Sequence, residues 1–268
     1  MFEDIIVVRG GGDIASGVIQ KLYRSGFRVL VLETERPTSI RRNVCFSEAV
    51  FEQCVVVEGI KAVLVNNMDE VKNAWEEGVI PVVIDKEGKY IDLIKPQVVV
   101  DAILAKKNFG TNIHMAPITI AIGPGFEAGK DVNIVVETMR GHNLGRLIFS
   151  GRAMENTGIP GEIGGYSKER VIYSPADGVI TNVKEIGDLV KAGETIACVN
   201  NIEIKATISG ILRGIIREGS NVVKDLKIAD IDPRLTEKEN SNTISDKARS
   251  IGGAVLEAVL YLKKSLKK

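Results

Sequence analysis

The sequence predicts an α/β chain: a mostly parallel sheet opened by a nucleotide-binding type of βαβ unit, then a small all-β unit and a terminal helix. Three observations predict it. Residues 4–33 pass from an apolar run through three glycines into a helical period and a second apolar run; residues 170–232 repeat themselves in short, glycine-punctuated runs; and beyond residue 243 apolar side chains recur at helical spacing.

In DIIVVRGGGDIASGVIQKLYRSGFRVLVLE, Ile5 to Val8 has the composition of a strand buried on both faces, as parallel sheets require. Ile14, Val18, Ile19 and Leu22 follow at helical spacing until Ser25-Gly26, and Val29 to Leu32 forms the second run. Gly10-x-Gly12-x-x-Ala15 fits the G-x-G-x-x-G/A spacing of a Rossmann-like turn, and Glu33, about twenty residues on, is where an acid meets a ribose hydroxyl. Glycine suits such a turn because a phosphate reaches backbone N–H groups and a helix N-terminus only where no Cβ intervenes. Asp13 fits the helix start but would repel a pyrophosphate placed there. A tight structural turn, with Asp13 capping and no ligand, is the competing reading.

At 268 residues and 44% hydrophobic, the chain suffices for one large or two smaller domains. Lys+Arg and Asp+Glu both total 35, so no global field draws it to nucleic acid or membrane, and any anion site must be local. The absence of a long apolar stretch or a leader-like start makes a cytoplasmic location the expectation. Three scattered cysteines and two histidines, His114 and His142, argue against a structural zinc site, and no metal is expected.

Further along, Arg41-Arg42 falls just past the second strand, where ligands of open α/β sheets bind. Pairing with Glu33, Glu35 or Glu48 on a solvated surface is the alternative. Apolar runs at Val55-Val57, Ala62-Val65, Val79-Ile84 and Val98-Val100 continue the sheet. Asp101 closes the last of them, facing the ligand crevice or capping a helix. Gly123-Pro124-Gly125-Phe126, between two more strands, presents N–H groups to an anion or simply makes a hairpin connection. Glu137, Arg140, His142 and Arg146 form a dense polar stretch able to bind phosphate or carboxylate bidentately, although a lone histidine is more often structural.

From Arg170, a shift of 32 residues superposes Gly178 on Gly210, Gly187 on Gly219, Val190 on Val222 and Ile196 on Ile228. This pseudo-twofold β pattern resembles the barrel-sandwich hybrid of biotinyl and lipoyl carrier domains. Carriers present a lysine at the central hairpin; here Asn200-Asn201 stands there and Lys205 lies four residues on, so a swinging arm is not expected. PRLTEKENSN reads as a polar linker. The last helix begins near Thr243 through a Thr243-x-x-Asp246 box and carries an apolar stripe from Ile244 to Leu262. Gly252-Gly253 within it implies close packing, on the first domain or on a second copy of the chain, and the Lys263-Lys268 tail suits the helix C-terminus. The domain limits are thus 1–165, 166–232, a linker at 233–242, and a helix at 243–268.

Taken together, RGGGDIASGV at 9–18, ERPTSIRRNVCFSEAV at 35–50, VVVDAILAKKN at 98–108, IGPGFEAGKDVN at 122–133 and VVETMRGHNLGRLIFSG at 135–151 resemble the YqeB family of selenium-dependent molybdenum hydroxylase system proteins. VEGIKA at 57–62, SPADG at 174–178 and KIADIDPR at 227–234 extend the match. That resemblance implies a Rossmann-like part plus a barrel-sandwich tail, and a role in maturing a molybdenum hydroxylase partner. It supplies no catalytic residue. On this reading Arg9, Gly10, Gly12 and Asp13, with Arg41, Arg42 and the stretch from Gly123 to Arg146, line one crevice for a phosphate-bearing ligand, a nucleotide or molybdopterin-type cofactor. The chain is then a binding or maturation factor rather than an ordinary enzyme. The alternative is an NAD-dependent oxidoreductase, with Glu33 on the ribose and His142 as acid/base.

Overall fold

The structure, a computed structural model, describes residues 5–266. Asp4, at the start of the opening stretch, and Lys267 and Lys268, at the end of the basic tail, lie outside the described residues. Chain contacts divide the protein into two compact units: Met1–Pro37 with Cys45–Asn156 and Ile244–Lys268, and Thr38–Val44 with Thr157–Thr243.

The first unit runs β1 (Ile5–Arg9), α1 (Asp13–Arg24), β2 (Arg28–Glu33), α2 (Ala49–Glu52), β3 (Cys54–Val57), β4 (Ile60–Leu64), α3 (Met68–Glu76), β5 (Ile80–Ile84), α4 (Lys89–Ile94) and β6 (Val98–Asp101). It continues through β7 (Ile118–Ile122), β8 (Glu127–Ala128), β9 (Ile134–Val136), β10 (Leu147–Ile148) and β11 (Gly151–Arg152), and is completed by α5 (Asp246–Leu266). Among the described residues one nine-stranded sheet has the order β10-β9-β7-β6-β1-β2-β5-β4-β3. β1 and β7 are buried at every position, which is why they read as largely apolar runs, Arg9 and Thr119 excepted. Ala15, Val18, Ile19 and Leu22 form the buried face of α1, which ends where Gly26 takes a φ of +88° and Phe27 N–H bonds the Leu22 carbonyl.

The expected Rossmann-like, mostly parallel sheet followed by a barrel-sandwich hybrid is corrected here. The sheet is large and mixed, with antiparallel pairs at both edges, β3–β4 and β9–β10. β3 and β4 form a hairpin whose turn residues, Glu58 and Gly59, both have positive φ, as a two-residue turn matched to strand twist requires. Nor do helices alternate with strands in the second half: residues 102–117 and 123–133 contain none. α5 supplies the missing layer, packing on α1, β7 and β9. A Cβ on Gly252 would lie 2.3 Å from the Gly17 carbonyl oxygen, and one on Gly17 would lie 2.3 Å from the Ala248 oxygen, so the two helices touch backbone to backbone. Gly253 has nothing within 4 Å. The α5 cap is Ser245, whose hydroxyl accepts the Ala248 N–H at 3.2 Å, in place of the expected Thr243.

Glu58 ties the hairpin to both helices. Its carboxylate accepts Gln20 Nε2 at 2.6 Å and the Ile244 N–H at 2.8 Å, with Arg249 at 3.7 Å. Burial alone would raise its pKa, but these hydrogen bonds and the neighbouring arginines outweigh it and hold it below the ordinary 4.5. A lowered carboxylate contributes stability that is full above its unfolded value and is lost as pH falls through the folded one. Glu58→Gln is therefore expected to flatten the acid limb of the stability curve. Urea unfolding between about pH 3 and 6 reads this, and an unaltered limb would remove the role.

The second unit contains β12 (Val171–Tyr173), β13 (Gly178–Asn182), β14 (Leu189–Val190), β15 (Thr195–Val199), β16 (Ile202–Lys205), β17 (Gly210–Ile215), β18 (Asn221–Val222) and β19 (Lys227–Asp232). The 32-residue repeat maps β13, β14 and β15 onto β17, β18 and β19. In place of the biotinyl-like barrel expected, these strands form two four-stranded antiparallel sheets, β12-β19-β17-β14 and β16-β15-β13-β18, each drawing on both repeats. Ile180, Ile196, Leu212 and Ile228 lie in one shared core. Asn200 and Asn201, at φ of 48° and 68°, make the β15–β16 turn. The stretch read as a linker is a 3-10 helix, Leu235–Asn242.

Candidate functional site

Because β1, β2, β5, β6, β7 and β9 run parallel, their carboxyl ends lie along one edge of the first unit's sheet. That edge carries most of the residues singled out in the sequence. They serve different purposes there.

At the end of β1, the glycine turn is filled by the protein itself. A Cβ on Gly10, whose φ is +93°, would meet Ile103 backbone at 3.1 Å, and one on Gly11 would meet the Ser47 nitrogen at 2.9 Å. The Gly11 N–H donates to Glu33 Oε1 at 2.6 Å and the Thr34 N–H to Oε2 at 2.9 Å. Burial raises the Glu33 pKa, and these two amides partly oppose it. Gly12 precedes α1 without any side-chain cap, and Asp13 is the first helical residue.

Arg9 and Asp101 end neighbouring strands and are both buried, 3% and 1% exposed. Arg9 donates to the Thr111 hydroxyl, to the Lys86 carbonyl at 3.2 Å and to the Phe109 carbonyl at 3.4 Å. Thr111 in turn donates to Asp101 Oδ2 at 2.6 Å, and Arg9 lies 3.8 Å from the same oxygen. Burial pushes the Asp101 carboxyl up, against Thr111, Arg9 and the Ile103 N–H. No helix follows Asp101, so it caps none; with Arg9 it pins the loops after β5 and β6.

Gly123 and Gly125, at φ of +75° and +108°, are required by close approach: their Cβ atoms would fall 2.7 Å from Thr138 Oγ1 and 2.7 Å from the Lys107 nitrogen. Phe126 is core, packed with Ala121, Val132 and Val135. Glu137 is buried and accepts the N–H groups of Thr138, Met139 and Met154 at 2.7, 2.8 and 2.8 Å. Arg140 makes a forked pair with Asp246 at 2.9 and 3.0 Å. His142 and Arg146 are exposed. Lys247, which the sequence did not single out, sits beside this group. Burial pushes its ammonium below the usual range, Arg140 adds to this, and Asp13, Glu137 and Asp246 oppose it.

Arg41 and Arg42 belong to the second unit. Arg41 donates to the Asn240 and Thr243 carbonyls at 3.0 and 2.8 Å, and Arg42 to the Ile215 carbonyl at 2.9 Å. They brace backbone there.

One open cleft, of about 610 Å³, does lie at that edge, between the loops after β2 and β5. Thr34, Arg36, Ile84, Lys86, Lys89 and Tyr90 border it, with Glu35 and Glu87. Asp85 holds its floor, accepting the Gly88 and Tyr90 N–H groups at 2.9 and 2.8 Å, and Tyr90 donates its hydroxyl to the Asn66 carbonyl at 3.1 Å. Arg36, Lys86 and Lys89 make no side-chain hydrogen bond or ion pair among the described residues. Sequence reading passed over them because single charges in turns resemble any solvated surface. The usable signal was their place, directly after the second and fifth strands.

No family model matches the chain. Over 260 residues, 97% of its length, it is 51% identical to the uncharacterized protein YqeB of Escherichia coli strain K12. The two chains are homologues. The chain spans about half, 48%, of that YqeB protein. Solved structures similar to it include an aspartoacylase family protein from Mesorhizobium loti, at 12% identity, a TM-score of 0.27 and 86% of each chain covered. Another is a succinylglutamate desuccinylase from Silicibacter, at 11% identity, a TM-score of 0.25, and 85% and 84% covered. At such scores the likeness carries no argument. Among the described residues no helix is long and apolar enough to cross a membrane, and no cluster of three or more His, Cys, Asp or Glu is placed to hold a metal ion.

Proposed function

We propose that this chain is an accessory factor in the maturation of a selenium-dependent molybdenum hydroxylase, and that it binds a nucleotide or molybdopterin-type phosphate ligand at the carboxyl edge of its large sheet. The observation that carries the ligand half is the cleft between the loops after β2 and β5, bordered by the uncommitted cations Arg36, Lys86 and Lys89. Guanidinium and ammonium groups at strand ends of an α/β sheet are suited to phosphate. The maturation half rests on the motif resemblance alone; the homology to the uncharacterized YqeB supports the relationship and not the role. An NAD-dependent oxidoreductase is the weaker reading, because the Glu33 carboxylate is engaged by the Gly11 and Thr34 amides and the glycine turn is packed with protein.

In cells that depend on the hydroxylase, the double variant Arg36→Ala/Lys86→Ala is expected to lower hydroxylase activation at least tenfold at normal levels of the chain. Unchanged activation would remove the cleft from the process.

A further inference from the structure

We infer that the outward face of α5 is a self-complementary docking surface for a second copy of this chain, the two α5 helices packing antiparallel about a twofold axis level with Leu260 and Tyr261. The surface shares no residue with the cleft described above. α5 carries apolar side chains on two sides, and a helix buries one stripe against its own core. Ile251, Val255 and Val259 are fully buried there. Leu260 and Tyr261, by contrast, are each 54% exposed. The Tyr261 ring stands edge-on against Phe149, itself 51% exposed, with centroids 5.2 Å apart. Single exposed apolar residues are ordinary, but two rings in contact beside a leucine, rimmed by charge, have the composition of an interface core.

The order of charges around that patch identifies the occupant. Glu257, Leu260 and Lys264 share one helix face, being three, four and seven residues apart. Glu257 lies about 5 Å before the midpoint of Leu260 and Tyr261, and Lys264 about 5 Å after it, at the helical rise of about 1.5 Å per residue. Both are exposed, and neither side chain has a hydrogen bond or ion pair among the described residues. Lys263 is committed elsewhere, its ammonium 5.2 Å from the centroid of the Phe27 ring. A twofold axis at that midpoint reverses the second helix, so Glu257 of each copy meets Lys264 of the other, and Leu260 and Tyr261 of both copies close the centre. A parallel pair would instead set Glu257 against Glu257 and Lys264 against Lys264, which repel. Two turns of one helix thus carry the reciprocal pattern that a closed dimer needs, and an unrelated partner requires no such symmetry. Two half-exposed rings and a leucine from each copy make a modest interface, so the dimer is expected to dissociate at about 1–100 μM.

Sedimentation equilibrium of the full chain at low salt tests this. Leu260→Asp and Tyr261→Ala are each expected to raise the dissociation constant at least tenfold. Glu257→Lys and Lys264→Glu alone should do the same, since each sets like charges together twice. Mixing these last two variants is expected to restore a dimer containing one of each, and Glu257→Lys/Lys264→Glu to restore it within a single chain. All four positions are exposed, and unchanged circular dichroism controls for folding. In cells, a photoreactive phenylalanine derivative in place of Tyr261 is expected to cross-link a second copy. A chain that stays monomeric at every attainable concentration, a dimer indifferent to these changes, or charge variants that do not pair on mixing would overturn the inference. So would cross-links only to another polypeptide, or to a segment like the part of YqeB that lies beyond the matched residues.

Discussion

Replacing Gly252 by alanine is expected to destabilise the first unit by about 3 kcal/mol, at the upper end for forcing atoms into a packed interior. The same change one residue on, Gly253→Ala, is expected to stabilise it by about 0.5–1 kcal/mol. The contrast follows from geometry. At 252 the new methyl would sit 2.3 Å from the Gly17 carbonyl oxygen and 2.7 Å from its carbon, both backbone atoms that no rotamer change can move aside. α1 and α5 must then separate, loosening a helix whose Ile251, Val255 and Val259 are fully buried. At 253 nothing lies within 4 Å, so alanine only removes the conformational freedom of glycine from the unfolded chain. Urea midpoints of the two variants decide it; equal losses would mean that the helices do not cross this closely.

Arg9→Met is expected to cost about 3 kcal/mol at neutral pH, the order expected when one partner of a buried ion pair is removed. It leaves the Asp101 carboxylate buried with only Thr111 and the Ile103 N–H as donors. Asp101 is already held above its ordinary 3.8 by burial, and losing Arg9 raises it further. A carboxyl raised on folding stabilises fully below its unfolded value, and that contribution is lost as pH rises through the folded value. The Arg9→Met defect should therefore shrink in acid and grow toward neutrality, and a second change, Asp101→Asn, should restore much of the loss at pH 7 by removing the unpaired charge. Denaturant unfolding of both variants across pH measures this. A defect independent of pH would show that packing, and not charge, ties these loops.

Legibility differed along the chain for physical reasons. β1, α1 and β2 were visible because a buried parallel strand, a positive-φ glycine and a helical period leave local marks. The β3–β4 hairpin was not, since its turn places Glu58 rather than asparagine or aspartate in the left-handed region. The glycine turn was found, but the residues packed against it were not: Gly10 and Gly11 make room for Ile103 and Ser47, far away in sequence. Asp101 was correctly placed at a strand end, yet its partners come from elsewhere in the chain, Arg9 from the end of β1 and Thr111 from the loop after β6. The repeat in residues 170–232 was plain, while the exchange of its strands between two sheets is a long-range arrangement that periodicity does not encode.

During synthesis, α1, β7 and β9 leave the ribosome well before the helix that covers them. Residues 157–243 must be made in the interval, on the order of ten seconds at about 5–20 residues per second. Throughout it the apolar faces awaiting α5 are open to water, including the groove at Gly17 where Ala248 will sit. A chain truncated before residue 244 is therefore expected to leave this face uncovered and to aggregate rather than fold as a smaller domain.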